Sequence, residues 1–188
     1  MVAGLPKVIQ YHMEKFSASQ IRSLSWSILF VYIIVSIFFF SPFLGLLVML
    51  PLFFTVAINF GVMGYLGIPL DAATILIGSI SIGVGVDYSI HFLSRVLSEL
   101  KQDGNSRKAC IVATRTTEHA ILVNAVTLIV GFGILYFSIF ATVSAFGTLM
   151  ALTMATSSVA ALTVLPAILS QIGWKQAKIS VKHDVSLD

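Results

Sequence analysis

Five stretches of this 188-residue chain are apolar for about as long as a bilayer is thick. They run from about Trp26 to Phe40, Phe43 to Leu66, Ala72 to Leu93, Ala120 to Phe140 and Ser144 to Ile172. A helix needs about 20 residues to cross the hydrocarbon layer at 1.5 Å per residue. Four of the stretches meet that length, and the first does so if it extends back through Ser23. Strands of a membrane barrel would be shorter and would alternate polar with apolar residues, which these do not. The pattern predicts an all-α, polytopic membrane bundle of about five helices. Composition excludes the soluble alternative: only 10% of the residues are charged, against about 25% in a soluble domain.

Charge then speaks to topology. The segment after the third stretch holds Arg95, Lys101, Arg107, Lys108 and Arg115 against Glu99, Asp103 and Glu118, and the tail holds Lys175, Lys178 and Lys182. The turn Ala141-Thr142-Val143 carries no charge. Basic residues favour the cytoplasmic side, so the expected layout is an extracytoplasmic lead-in over 1–24, a bundle over 25–172 with a cytoplasmic loop at about 94–118, and a cytoplasmic tail over 173–188. Within that loop, Gly104-Asn105 reads as a break and Ser106 as a helix cap. The helix that follows puts Ala109, Val112, Ala113 and Thr116 on one face, suited to the inner membrane surface. A head carrying Lys7, Lys15 and Arg22 outside the membrane suggests that a translocated domain precedes it. The chain therefore reads as the C-terminal part of a larger protein or one half of a split one.

Asp87 is the sole carboxylate of the third stretch. A charged group deep in the bilayer costs at least about 2.5–3.5 kcal/mol, so such residues mark proton, ion or polar-ligand handling. On a helix Gly83, Asp87, His91 and Ser94 form one stripe, with Tyr88 beside it and expected to offer its hydroxyl to the same space. Asp87, Tyr88 and His91 are the candidate proton-handling residues. Gly83 and Gly85 leave room one turn earlier, and Asn124 and Thr127 share a face from which they could donate hydrogen bonds to the carboxylate. Asn59, Thr153, Thr156, Ser157 and Ser158 read as interhelical polar contacts, and Gly147, Ala151 and Ala155 as a packing seam. Pro166 is expected to kink the last span. No metal site is expected, because no His, Cys or carboxylate cluster has ligand spacing, and Cys110 is the one cysteine. No catalytic constellation or cofactor motif is present, and no basic, aromatic-interleaved patch suggests nucleic acid.

The string Gly83-Val84-Gly85-Val86-Asp87-Tyr88-Ser89-Ile90-His91 resembles the signature of the resistance–nodulation–cell division (RND) superfamily. It is closest to the MMPL and hydrophobe-exporter branch, with Patched-like and sterol-sensing relatives. Phe60-Gly61-Val62-Met63-Gly64-Tyr65-Leu66-Gly67-Ile68-Pro69-Leu70 resembles the turn before the aspartate helix. Gly131-Phe132-Gly133, Phe146-Gly147 and Leu165-Pro166-Ala167 resemble the last two helices, and Phe16 to Leu24 the entry into the eighth. The resemblance covers nearly all of residues 16–170. It implies helices eight to twelve of a twelve-span permease, with Asp87 on the tenth. It also implies an exporter of hydrophobic or lipid-like substrates in a bacterial cytoplasmic membrane, driven by proton antiport through Asp87 and Tyr88. Its implied partners are the bilayer, the absent N-terminal half with its porter domains, and further copies in an oligomer. A lipid- or sterol-sensing module and a structural subunit of a split transporter are the alternative readings, and none of these is an enzyme.

Overall fold

A computed structural model describes residues 5–68 and 72–171. The tail over 173–188, with its three lysines, lies outside the described residues, as do Pro69 and Leu70. Five long helices make up the described chain: α1 (Leu5–Phe38), α2 (Pro42–Leu66), α3 (Ala72–Asp103), α4 (Ser106–Gly133) and α5 (Ala141–Gln171). A single 3-10 turn, Ile134–Phe137, joins α4 to α5. Helix is the expected solution, because a backbone in hydrocarbon must satisfy its own polar groups. The helices α2, α4 with its 3-10 extension, and α5 are long and apolar enough to cross a membrane, and α1 adds a shorter apolar run over Arg22–Phe38.

The ends of these helices follow from local chemistry. Ser41 caps α2 by accepting from the Leu44 amide, Pro42 occupies the first turn where no donor is needed, and Gly67 closes the helix at φ 66°. Between α3 and α4, Gly104 takes φ 65°, and the Asn105 side chain accepts from the amides of Arg107 and Lys108. The cap is thus Asn105 rather than Ser106. The helix expected after Ser106 is present as the start of α4, whereas 94–103, expected as loop, is the helical continuation of α3. It contains no breaker before Gly104, and Arg95 and Glu99 support the helix with a 2.7 Å ion pair one turn apart. At 32 residues, α3 is about 48 Å long. It therefore outreaches the roughly 30 Å hydrocarbon layer, and the charged hairpin projects from one end of the bundle.

Packing is arranged in two rows. Helix α3 touches α1, α2, α4 and α5, whereas α2 touches α1, α3 and α5, and α5 touches α2, α3 and α4. Helices α1, α3 and α4 therefore form one row and α2 and α5 the other, with α3 central in the larger row. The core between them holds Val48, Leu52, Phe92, Leu93, Val96, Met150, Met154 and Leu165, all essentially inaccessible. Outside, Ile34, Phe54, Val126, Val130, Phe137 and Ile139 are exposed. For a soluble protein this surface would be a liability, whereas a bilayer accommodates it.

Two glycines fix close approaches. A Cβ on Gly45 would collide with the Ser36 hydroxyl, where α2 crosses α1. A Cβ on Gly147 would lie 2.5 Å from both the Phe132 carbonyl oxygen and the Leu135 Cβ. Of the expected seam, Gly147 is therefore packed against the turn after α4, while Ala151 and Ala155 are only half-buried. Gly147→Ala is expected to destabilise the bundle by about 1–3 kcal/mol, the usual cost of overpacking. Gly83→Ala, where an added Cβ meets nothing within 4 Å, is expected to cost nothing. Thermal unfolding of the two variants in detergent separates these outcomes.

Candidate proton-handling site

Successive residues on a helix point about 100° apart, so α3 presents different chemistry on opposite sides. Ser81, Gly85 and Ser89, one turn apart, face the second row and are buried. Gly83, Asp87 and His91, also one turn apart, face away from it and are exposed, with Ser94 half-buried at the edge of this stripe. The stripe read from the sequence is thus intact, but it lies on the open front of α3, midway along the α1–α3–α4 row. Asp87 and His91 are its two ionisable groups.

Tyr88 departs from expectation. It is 2% exposed, and its hydroxyl points across the core to the Met154 sulfur of α5, at 3.7 Å. Adjacency in sequence does not give a shared space, because the 100° step carries the ring onto the buried side. Asn124 and Thr127 likewise do not reach the carboxylate. Both are exposed on α4, and the Thr127 hydroxyl donates to the Val123 carbonyl at 2.8 Å. Among the described residues no hydrogen bond joins either one to Asp87. Gly85 is a packing residue: a Cβ there would touch Leu52, Thr153 and Ser157 at 3.5–3.8 Å.

The inner stripe belongs to a polar junction that sequence reading only half found. Asn59 Nδ2 of α2 donates to Thr153 Oγ of α5 at 2.7 Å. The Thr153 and Ser81 hydroxyls lie 3.1 Å apart, and Ser81 Oγ is 3.5 Å from the Met150 sulfur. Three helices meet at this one fully buried threonine. Asn59 and Thr153 were visible as polar residues inside spans. Ser81 joins them, and its four-residue spacing from Gly85 and Ser89 marks a second stripe opposite Asp87. Asn59 Oδ1 and, two turns along α3 from Ser81, the Ser89 hydroxyl are buried without a hydrogen-bond partner, as is the Ser36 hydroxyl. Pro166 lies within α5 near its end, as the sequence placed it. The described residues contain no group of three or more His, Cys, Asp or Glu able to hold a metal.

A helical bundle with an apolar surface, and with a carboxylate on the open face of its central helix, defines the class: an integral membrane protein. The chain matches the MMPL family over residues 1–186 and belongs to it. It is 31% identical over 169 residues to a membrane protein of Methanocaldococcus jannaschii, a match covering 90% of this chain and 44% of that one. It is 28% identical over 163 residues to the apo-petrobactin exporter of Bacillus anthracis, covering 84% of this chain and 22% of the exporter. The chain thus spans less than half the length of each of these relatives.

Stability measurements distinguish the two stripes. Thr153→Val strands the Asn59 amide and is expected to cost about 0.6 kcal/mol or somewhat more, the usual worth of an interhelical hydrogen bond in a membrane protein. Asp87→Asn, at an exposed position with no hydrogen bond to lose, is expected to change unfolding in detergent by less than about 0.5 kcal/mol.

Proposed function

We propose that this chain forms the membrane part of an MMPL-type exporter in which Asp87 binds and releases the coupling proton. The observation that carries the reading is the placement of Asp87. It lies in an apolar segment, on the open face of the central helix, and no neighbouring residue of the described chain neutralises it through a hydrogen bond. A carboxylate held this way contributes nothing evident to the fold. In a bilayer it would nonetheless cost several kcal/mol if it faced lipid while ionised. Taking up a proton removes that cost, and losing it restores a charge that must be solvated or opposed. Proton occupancy and the environment of this face are therefore coupled.

His91, one turn nearer the charged hairpin, is positioned to exchange protons between Asp87 and the aqueous side. Tyr88 has a different part in this scheme. Its hydroxyl reaches Met154, so it ties the aspartate helix to α5 and positions the stripe without touching the same space. Gly83 keeps the surface beside the carboxylate free of side chains. The exporter relative supports efflux as the activity. A charge moving across the membrane gains about 2.3 kcal/mol per 100 mV, enough to bias a conformational cycle.

Orientation follows from charge. The α3–α4 hairpin with Arg95, Lys101, Arg107 and Lys108 belongs on the cytoplasmic side by the basic-residue bias, which places the uncharged α4–α5 turn outside. Substrate selection is assigned to parts of the assembly beyond this bundle, and its substrates are hydrophobic or lipid-like by likeness to the family.

Proton-driven efflux by the complete assembly in inverted membrane vesicles tests the role of Asp87. Asp87→Asn is expected to reduce gradient-dependent transport to background while the protein accumulates normally in the membrane. Full transport by a normally inserted Asp87→Asn protein would overturn the assignment. Tyr88→Phe, which removes only the contact to Met154, is expected to weaken transport without abolishing its dependence on the gradient.

A further inference from the structure

The outward side of α4 changes its chemistry along one line. Lys108, Arg115 and Leu122 recur every seven residues, close to two full turns, so they stand above one another on the helix. Ile111, His119 and Val126 fall within about 40° of that line at 100° per residue. All six are exposed, whereas Cys110, Ala113 and Ile121 are buried on the opposite side of α4. The line therefore runs from cationic to apolar without leaving the surface. We propose that it is a binding site for an anionic phospholipid of the leaflet on the hairpin side, with the phosphate at Arg115 and Lys108 and an acyl chain along Leu122 and Val126. With the orientation proposed above, this is the cytoplasmic leaflet.

Depth is the first support. Arg115 and Tyr136 are separated by 21 positions, roughly 31 Å along a helix axis, which matches the roughly 30 Å hydrocarbon layer. Tyr136 and Phe137 are exposed at the far end of the span, and aromatic rings settle at the membrane–water interface. With those rings at one interface, Arg115 stands at the phosphate level of the other.

The second support is the state of the cation. Among the described residues the Arg115 guanidinium has no hydrogen bond or ion pair, whereas Arg95 is held by Glu99 at 2.7 Å. A guanidinium presents a planar fork that matches phosphate oxygens two at a time, so a lipid phosphate supplies what the described chain does not. Glu118 is the nearest acid along α4. It lies about 60° round the helix from Arg115, at the edge of the line rather than on it.

The third is the apolar part. Ile111 is 51% exposed between the two cations, and Leu122 and Val126 are 47% and 57% exposed deeper along the same line. An acidic protein segment at the surface would cover the cations and leave this run bare. A molecule with a charged head and a long chain covers both.

Native mass spectrometry of the full chain, released from micelles supplied with equal amounts of phosphatidylglycerol and phosphatidylcholine, tests the site. The unaltered chain is expected to retain one phosphatidylglycerol in preference to phosphatidylcholine. Arg115→Gln and Lys108→Gln are each expected to lower that preference about fivefold, the usual worth of one basic residue at an anionic surface. Arg107→Gln removes the same charge about 80° off the line and is expected to change the preference less than twofold. Glu118→Gln removes the neighbouring acid and is expected to raise it. Glycerol 3-phosphate, which carries the charge without the chains, is not expected to compete. Equal losses from Arg107→Gln and Arg115→Gln would reduce the effect to diffuse attraction and overturn the site. So would effective competition by glycerol 3-phosphate, or no preference in a chain with native helix content by circular dichroism. An acidic protein, rather than lipid, retained from native membranes through Arg115 would overturn it too. The readout needs neither gradient nor transported substrate, so its outcome is independent of the proton role of Asp87.

Discussion

Hydrocarbon solvates neither a bare peptide group nor a charge, and the whole arrangement of this bundle answers to that fact. The first half of the constraint makes every crossing segment a helix, with its backbone satisfied along its own length. The second half decides where ionisable groups sit. Among the residues whose side chains are described, most are gathered on the α3–α4 hairpin, where Arg95 and Glu99 pair beyond the apolar length of the helices. Among the described residues Asp87 alone stands well inside an apolar segment, and it stands on the one face of α3 that no other described helix covers. Packing it inward would have placed a carboxylate among Phe92, Met154 and Leu165 with no cation to oppose it, the most costly arrangement available.

Helix α3 is consequently two-sided. Its inner side is a structural surface: Gly85 admits α2 and α5, Ser81 joins the junction with Thr153 and Asn59, and Tyr88 reaches Met154. Its outer side is chemical, with Gly83, Asp87 and His91 in line. Interhelical hydrogen bonds of this kind contribute modestly in a membrane, since the separated helices find other partners. Their value here is positional. Three helices are keyed to one another at Thr153, so the depth and rotation of α3 are fixed, and with them the height at which Asp87 is presented.

Much of this was legible in the sequence because the bilayer imposes a strong and simple pattern. Long uncharged stretches gave the helices, and the four-residue spacing of Gly83, Asp87 and His91 gave the stripe. Two other features were not legible. Hydropathy marks where a helix leaves the hydrocarbon but not where it ends, so the charged continuation of α3 to Asp103 read as a loop. Nor does a single sequence say which side of an all-apolar helix is inward. The alternation that would mark it in a soluble protein is missing when lipid and core are equally apolar. Sequence adjacency therefore puts Tyr88 on the side of Asp87 and leaves Asn124 and Thr127 free to face it, whereas the fold turns all three elsewhere. The signal that separates the sides is a pair of four-residue stripes, the small Ser81-Gly85-Ser89 and the ionisable Gly83-Asp87-His91. Half a helical turn divides them.

That two-sidedness is also what would let a proton on the front of α3 be felt behind it. A long helix transmits a tilt or rotation nearly rigidly, and the polar contacts at its back are few and directional: a hydroxyl to a sulfur at Tyr88 and Met154, and a shared hydroxyl at Thr153. Such contacts are weaker than the apolar packing around them and are lost or exchanged over small displacements. The unpartnered Asn59 Oδ1 and Ser89 hydroxyl offer acceptors and donors that a shifted α3 could engage instead. A change in the charge of Asp87 alters how closely its face can be covered, and the inner junction has alternative partners with which to absorb the movement. In the proposed exporter, the polar interior behind α3 is therefore as much part of the coupling as the aspartate in front of it.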